Sequence, residues 1–562
     1  MTELATLVEE ELARFRVPGA AVAVVKDGEV VLARGFGYRD ADKESPVTQH
    51  TRFPIGSTTK AFTAAAVGTL VDDGVLEWDR PVREYLPGFQ LNDPVATRDL
   101  TLRDMLSHRS GLPRHDHLML MYGGGGLSRA ELVARLQHLA FNKSFRAEWQ
   151  YNNLIYMAVG HLIEIVAGQT WEAAVQQRLL DPLDMTHSNF SIAELQKADD
   201  HSLPHTERAG EILEVPFRSI EIIGPAGSIN SCIADMSEWL RLHTEQGRIE
   251  GGDILSPAAL KEIQSPAIVM PADAIPWEDV NLVGYALGWV VEDFRGHRHI
   301  WHNGGVDGFK TIVSFIPEKR IGVCVLSNRF PSNGPEVIAY RVLEELLGLD
   351  ALPWGDRYLK LQEAAASGSE DTRAHVRARS KGTPPTHPLE DFAGSYVHAG
   401  YGRISFAVDG DELVADLHDL HVTMKHRHYN VWDAHERSLD ISVALSFGTD
   451  VDGEITSVEA DLEPTVPPIV FRKEPDPRLS EPDFLSMLTG TYASGPYELT
   501  LDLKETVLYA SGPMFGSFEL EPRLGTRFVA KGHQNLRFEF VLEGEGLAPE
   551  MVVEGIGVFA RT

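Results

Sequence analysis

The sequence predicts an α/β domain followed by two small antiparallel β-barrels. Three observations carry this. Strand-like runs stand at both ends of the first 350 or so residues, around a helical middle. A polar stretch, from Ala364-Ala365-Ala366-Ser367-Gly368-Ser369 to Lys381-Gly382-Thr383-Pro384-Pro385, reads as a linker. Beyond it, Leu389, Phe392, Gly394, Tyr396 and Tyr401 recur 96 residues later as Leu485, Leu488, Gly490, Tyr492 and Tyr497. The expected division is 1–355, a linker 356–386, a first barrel 387–474 and a second 475–562.

The elements follow in order. Leu4, Leu7, Val8 and Leu12 have helical spacing, and Pro18-Gly19 stops that helix. The runs Ala20–Val25 and Val30–Phe36 flank Lys26-Asp27-Gly28-Glu29, a hairpin signal. Helical spacing returns at Thr58–Asp73, Leu154–Ala167 and Ala234–Glu245. Strands are then expected at Tyr285–Glu292, His297–His302, Thr311–Ile316 and Gly322–Ser327, with a turn at Pro317–Arg320 and a closing helix at Glu336–Leu347. Strands at both ends of one segment imply a sheet that joins them. After residue 386, each repeat runs into alternating residues, as in Ile404–Val408 and Leu499–Leu503. Alternation in evenly spaced strands fits small barrels, or one continuous β-sandwich.

Composition limits the function classes. Of the 562 residues 43% are hydrophobic and 24% charged, which is ordinary globular usage. The net charge of −31 repels phosphate backbones and anionic lipid, so neither nucleic acid nor membrane is an expected partner. Cys232 and Cys324 are too few for a disulfide scaffold and read as buried free thiols in apolar surroundings. The first residues lack a basic segment followed by an apolar one, and the expected location is cytoplasmic.

Three short motifs carry chemistry. In Pro54-Ile55-Gly56-Ser57-Thr58-Thr59-Lys60, helical spacing puts Ser57 and Lys60 on one face, one turn apart. A hydroxyl needs a base to become a nucleophile, and a desolvated lysine is one. Tyr151-Asn152-Asn153 precedes a helix and offers a phenol for proton relay and an amide for a substrate carbonyl. Trp301-His302-Asn303-Gly304-Gly305 closes an expected strand; two glycines permit close backbone approach, and the Gly305 N–H is placed to join that of Ser57 as an oxyanion hole. Histidines also cluster at 115/117, 297/299/302 and 426/428, but without a metalloenzyme motif, so no metal is expected.

In this order the motifs resemble those of the serine β-lactamase and penicillin-binding-protein superfamily, and most closely the branch with class C β-lactamases, D-stereospecific aminopeptidases and related esterases. That superfamily uses Ser-x-x-Lys, Tyr-x-Asn or Ser-x-Asn, and Lys-Thr-Gly or His-x-Gly; here they read Ser57–Lys60, Tyr151–Asn153 and His302–Gly304. Leu106-Ser107-His108-Arg109-Ser110-Gly111-Leu112, Gly224-Pro225-Ala226-Gly227-Ser228 and Gly284-Tyr285-Ala286-Leu287-Gly288-Trp289 look familial too. The resemblance covers residues 5–350. It implies a β-lactamase/transpeptidase-like catalytic domain with lipocalin-like barrels behind it, and an acyl-enzyme on Ser57 with no cofactor.

The same resemblance implies roles. Lys60, Tyr151 and His302 handle protons, Asn153 orients the acyl side chain, and Gly304 and Gly305 line the substrate. The stretch Leu508–Phe518 resembles a loop that reaches the active site in D-aminopeptidase, so Met514 and Phe515 are substrate-binding candidates. His302 stands where class C β-lactamases carry a lysine. That shifts the expectation from β-lactamase toward a D-stereospecific aminopeptidase or amidase acting on small peptides or amides. Carboxylesterase, β-lactamase-like hydrolase, acyltransferase or peptide cyclase, and a ligand-binding sensor remain alternatives, and homo-oligomerisation stays open.

Overall fold

A computed structural model describes all residues except 1, 41, 43, 123–124, 250–251, 272–276, 365–381, 419, 437–440, 452, 524–525 and 543–546. Most of the expected linker therefore lies outside the described residues. The chain divides into two units: residues 1–380 with 462–467, and residues 381–461 with 468–562.

The first unit is built on an eight-stranded antiparallel sheet. Its order runs Glu29–Gly37, Gly19–Lys26, Ile321–Ser327, Phe309–Ile316, His297–Val306, Val290–Phe294, Val280–Tyr285 and Ile268–Val269. Ala20 faces Ser327 across the central pair, so the sheet does join both ends of the domain. Gly19–Lys26 and Ile321–Ser327 are buried almost throughout, as strands covered on both faces must be. On one face the helices Thr2–Arg14 and Gly334–Leu347 close a core containing Val8, Leu12, Phe15, Val337 and Leu343. The helix Ile233–Thr244 packs on the same central strands and buries Trp239 and Leu240.

One expected strand is corrected. Tyr285–Glu292 is not continuous, because the chain reverses at 286–289. There the Ala286 N–H donates to the Trp289 carbonyl and Gly288 takes φ +83°, a conformation that side chains disfavour. The apolar run concealed a hairpin. His302 is also not at a strand end, since its strand continues through both glycines to Val306.

The second unit holds two closed eight-stranded barrels, one from Gly394–His398 to Ile469–Lys473 and one from Gly490–Ser494 to Gly557–Arg561. This decides for barrels over a sandwich. The repeat has a physical basis. Tyr396 donates its hydroxyl to the Phe392 carbonyl at 3.0 Å, and Tyr492 does the same to Leu488 at 3.0 Å. A cation from the last strand lies over each tyrosine ring, Lys473 at 5.7 Å and Arg561 at 5.6 Å. Each tyrosine thus ties a short helix to the seam where its barrel closes (Tyr396 opposite Lys473, Tyr492 opposite Arg561). Among the described residues no helix is long and apolar enough to cross a membrane.

Candidate active site

Ser57 sits in a tight turn, Gly56–Thr58, that leads into the helix Thr59–Asp72. Gly56 enters it with φ +54°, which a glycine adopts without strain. The Ile55 carbonyl anchors the turn by accepting the hydroxyls of Thr58 and Thr311, both at 2.8 Å. The helix is apolar on every side and buried from Thr59 to Leu70. Lys60, inside this buried turn, must therefore give its N–H groups to protein acceptors. It reaches Asn153 Oδ1 at 2.8 Å, the Ala226 carbonyl at 2.8 Å and Ser57 Oγ at 3.2 Å. Burial holds its amine well below the ordinary lysine range; the Arg114 charge pushes the same way and Asp116 opposes.

The second motif divides its work. Asn152 caps the helix Asn153–Ala167 by accepting the Ile155 N–H at 2.8 Å. Its own N–H donates to His108 Nδ1 at 3.0 Å. Tyr151 carries the Lys60 ammonium position 4.6 Å from its ring centre and the Arg114 guanidinium at 4.9 Å. Burial raises the Tyr151 phenol above the usual tyrosine range, opposed by a hydrogen bond with Ser57 and by Arg114, so it stays protonated at ordinary pH. Asn153 departs from expectation. Its Oδ1 accepts from Lys60 and its Nδ2 donates one N–H to Asp116 Oδ1 at 3.1 Å, so the amide holds Lys60 as well as offering its second N–H.

The third motif is also revised in part. A Cβ at Gly304 would lie 2.0 Å from the Ile55 carbonyl oxygen, and one at Gly56 would lie 2.9 Å from the Gly305 nitrogen. The glycines therefore let this strand lie directly against the Ser57 turn, as an oxyanion hole shared by Ser57 and Gly305 requires. His302 has both nitrogens occupied: Nδ1 donates to the Asn303 carbonyl at 2.6 Å, leaving Nε2 to accept the Tyr285 hydroxyl at 2.9 Å. Burial lowers its pKa to about 3. A proton relay through His302 near neutral pH does not fit these partners; the ring is a neutral spacer beside Tyr151, 6.3 Å between centres.

Several residues around the centre were missed as site residues. His108 packs against Tyr151 with the rings tilted, 4.4 Å between centres, and burial holds its pKa well below the ordinary histidine range. It lies in the Leu106–Leu112 stretch, as Ala226 and Tyr285 lie in the other two familial stretches, so a signal existed. Arg114 and Asp116, paired with each other, fall just after such a stretch. Glu463 gave no signal. It belongs to the first unit and accepts the His115 N–H at 2.9 Å, while the Leu462 carbonyl meets His117 Nδ1 at 2.5 Å, and together they fix the segment that bears Arg114 and Asp116. Met514 and Phe515 fall in the second unit. Met514 is 71% exposed, and Phe515 packs 5.8 Å from Tyr497 of its own barrel. Both cysteines are free and buried, but only Cys324 is apolar in its surroundings; Cys232 donates to Asp235 Oδ1 at 3.5 Å.

An antiparallel sheet joined at both ends, a half-buried Ser57 paired with a buried Lys60, and a tyrosine and glycine strand against it define the β-lactamase and penicillin-binding-protein superfamily of serine hydrolases. Residues 4–347 match the family described as Beta-lactamase, and the chain belongs to it. Residues 378–473 match a domain of unknown function, DUF3471, which contains the first barrel. The chain is 30% identical over 456 residues to the unguisins hydrolase ungD of Aspergillus violaceofuscus, covering 75% of this chain and 78% of that one. It is 24% identical over 343 residues to protein flp of Staphylococcus aureus strain COL, 60% of this chain and 65% of that one. Among solved structures, the octameric penicillin-binding protein homologue of Pyrococcus abyssi superposes with a TM-score of 0.55 at 26% identity, covering 84% of this chain and 99% of that one. SurE superposes at 0.51 with 20% identity, covering 84% and 98%, a likeness of fold alone.

Proposed function

We propose that the chain hydrolyses amide bonds of small peptides through an acyl-enzyme on Ser57, as a D-stereospecific aminopeptidase or amidase does. One observation carries the chemistry. A neutral lysine amine has two N–H groups and one lone pair. Asn153 and Ala226 take the two N–H groups, and the third direction meets Ser57 Oγ. Burial favours that neutral form. Lys60 is thus held as a base with its lone pair toward the nucleophile.

The steps follow. The Ser57 proton moves to Lys60 as Oγ bonds to the substrate carbonyl carbon, and the carbonyl oxygen becomes an oxyanion facing the N–H groups of Ser57 and Gly305. The C–N bond then breaks. Tyr151 gives its hydroxyl proton to the departing amine and regains one from Lys60. Water, activated by the same pair, cleaves the ester and restores Ser57. His302 and Tyr285 fix the strand that carries the oxyanion donor. The reading as a hydrolase is supported by the relative named as a hydrolase of unguisins, and the preference for amides by a neutral histidine at the position of a cationic anchor.

The test has two parts. A fluorophosphonate should label Ser57, mapped by mass spectrometry; labelling elsewhere would end the mechanism. Rates on D- and L-amino acid amides, nitrophenyl esters and nitrocefin, measured side by side, should favour a D-amide. A larger kcat/KM on esters or nitrocefin would assign the same site to an esterase or a β-lactamase.

A further inference from the structure

The sequence marked histidines that are close in number, while the fold brings together three residues that are far apart. His50, His187 and Cys232 each present a ligand atom, and these atoms lie within 4.8 Å of one another. We infer that His50, His187 and Cys232 form a binding site for a zinc-like divalent transition metal, separate from the catalytic centre, with solvent in the fourth position. This replaces the expectation of no metal.

The donor chemistry selects the metal. Two imidazoles and one thiolate suit zinc and its neighbours, whereas calcium and magnesium take oxygen ligands. Zn–N and Zn–S bonds near 2.0–2.3 Å set ligand atoms about 3.4–3.6 Å apart in a tetrahedron. Closing from 4.8 Å needs about 1 Å of movement, which the exposed His50 side chain can supply.

The surroundings prepare the site. Asp235 Oδ1 faces His187 Nδ1 at 3.2 Å, and Asp235 Oδ2 accepts the His187 N–H at 2.9 Å. A carboxylate paired with an imidazole in this way orients the ring of a metal-binding histidine. The His50 ring lies 4.9 Å from that of His187. Its segment is tied to the cysteine's helix by the Ala234 N–H, which donates to the Gln49 carbonyl at 3.1 Å. The Gln49 amide lies 3.1 Å from His50 Nε2 and must yield it, or turn the ring, on binding.

The location suggests what the metal does. Cys232 follows the strand Asn230–Ser231, which pairs with Phe53–Pro54, three residues before Ser57. His50 stands just ahead of the same Phe53–Pro54 strand. A bound ion would clamp the two segments that lead into the nucleophile turn, so it should stabilise the domain without entering the reaction.

Cobalt titration of the chelator-treated full chain tests this. One equivalent should bind tightly and give a thiolate-to-cobalt charge-transfer band. Cys232→Ser should abolish the band, while Cys324→Ala keeps it. His50→Ala, an exposed change that leaves folding intact, should weaken cobalt and zinc binding at least about tenfold, with Ser57 labelling unchanged. Zinc should raise the Tm of the parent and of Cys324→Ala and not that of Cys232→Ser. Absence of the band at saturation, or its persistence in Cys232→Ser, overturns the site.

Discussion

Gly304→Ala isolates the contact between strand and nucleophile. The new Cβ would lie 2.0 Å from the Ile55 oxygen and 2.5 Å from Thr311 Oγ1. Carbon does not approach a backbone oxygen closer than about 3 Å, so strand and turn must separate by about 1 Å. Ile55 cannot give way alone, because its carbonyl holds Thr58 and Thr311 and its N–H is bound to the Ile229 carbonyl at 2.9 Å. A 1 Å misplacement of reacting groups costs about 100-fold in rate, or about 2.7 kcal/mol of transition-state stabilisation. The overpacking itself should cost about 1–3 kcal/mol of stability. Gly305→Ala is the informative neighbour. Its Cβ meets the Phe330 ring at 2.7 Å, a part-exposed side chain that can swing aside, so a loss of only a few-fold is expected. Gly88→Ala, with nothing within 4 Å, serves as control. The assay is the second-order rate of Ser57 labelling by a fluorophosphonate, with near-ultraviolet circular dichroism and Tm to confirm folding. If folded Gly304→Ala acylates within threefold of the parent, this strand does not set the geometry of the nucleophile.

Two further outcomes follow from the same geometry. Lys60→Ala and Tyr151→Phe should each lower kcat about 10²–10⁴-fold, and the double variant should lose far less than the product, because the two act as one relay; full additivity would separate them. The acidic limb of kcat/KM should belong to Lys60. The base works only when neutral, so activity falls as pH drops through the lowered lysine pKa. His302 stays neutral down to a pKa of about 3, so His302→Gln should change the rate but not the position of that limb. A limb that moves with His302 would return the histidine to the proton path.

The parts of the fold that were legible are those where local pattern and tertiary role agree. The N-terminal hairpin, the helix after Ser57 and the helix after Asn153 each sit within two residues of their expected bounds. The barrels were legible because the duplication preserves a seam contact at Tyr396 and Tyr492. The hairpin hidden in Tyr285–Glu292 was not, since Ala286-Leu287-Gly288-Trp289 reads as apolar strand until one knows that it turns inside the core. Motifs marked Ser57, Lys60 and Tyr151, which the fold brings together. They did not reveal that Asn153 and His302 would face inward, because which atom a side chain offers to a substrate depends on partners from distant segments. Asp116 and Tyr285 are such partners, and so are the residues that join His50 to Cys232.

The exchange of a lysine for His302 is best understood through the charges around it. Lys60 is held toward its neutral form by burial, and Lys310, the next cation along the sheet, is paired with the buried Glu336 at 2.7 Å. Arg114 is half-exposed and paired with Asp116. A neutral imidazole between Tyr285 and Asn303 therefore leaves the centre with little net charge. An anionic acyl group would enter such a pocket without a fixed counter-charge and would lose its hydration. An uncharged carbonyl loses little on entry and gains the two N–H donors only as its oxygen becomes negative. In the proposed reaction the binding energy is thereby concentrated in the transition state, where it accelerates the reaction rather than merely tightening the substrate complex. A permanent ammonium at position 302 would attract substrate carboxylates, but it would also repel the proton that Lys60 must accept from Ser57, and it would have to be buried beside the Tyr285 hydroxyl. On the proposed reading, the histidine keeps the base free to work, at the cost of a carboxylate anchor that a small amide does not use.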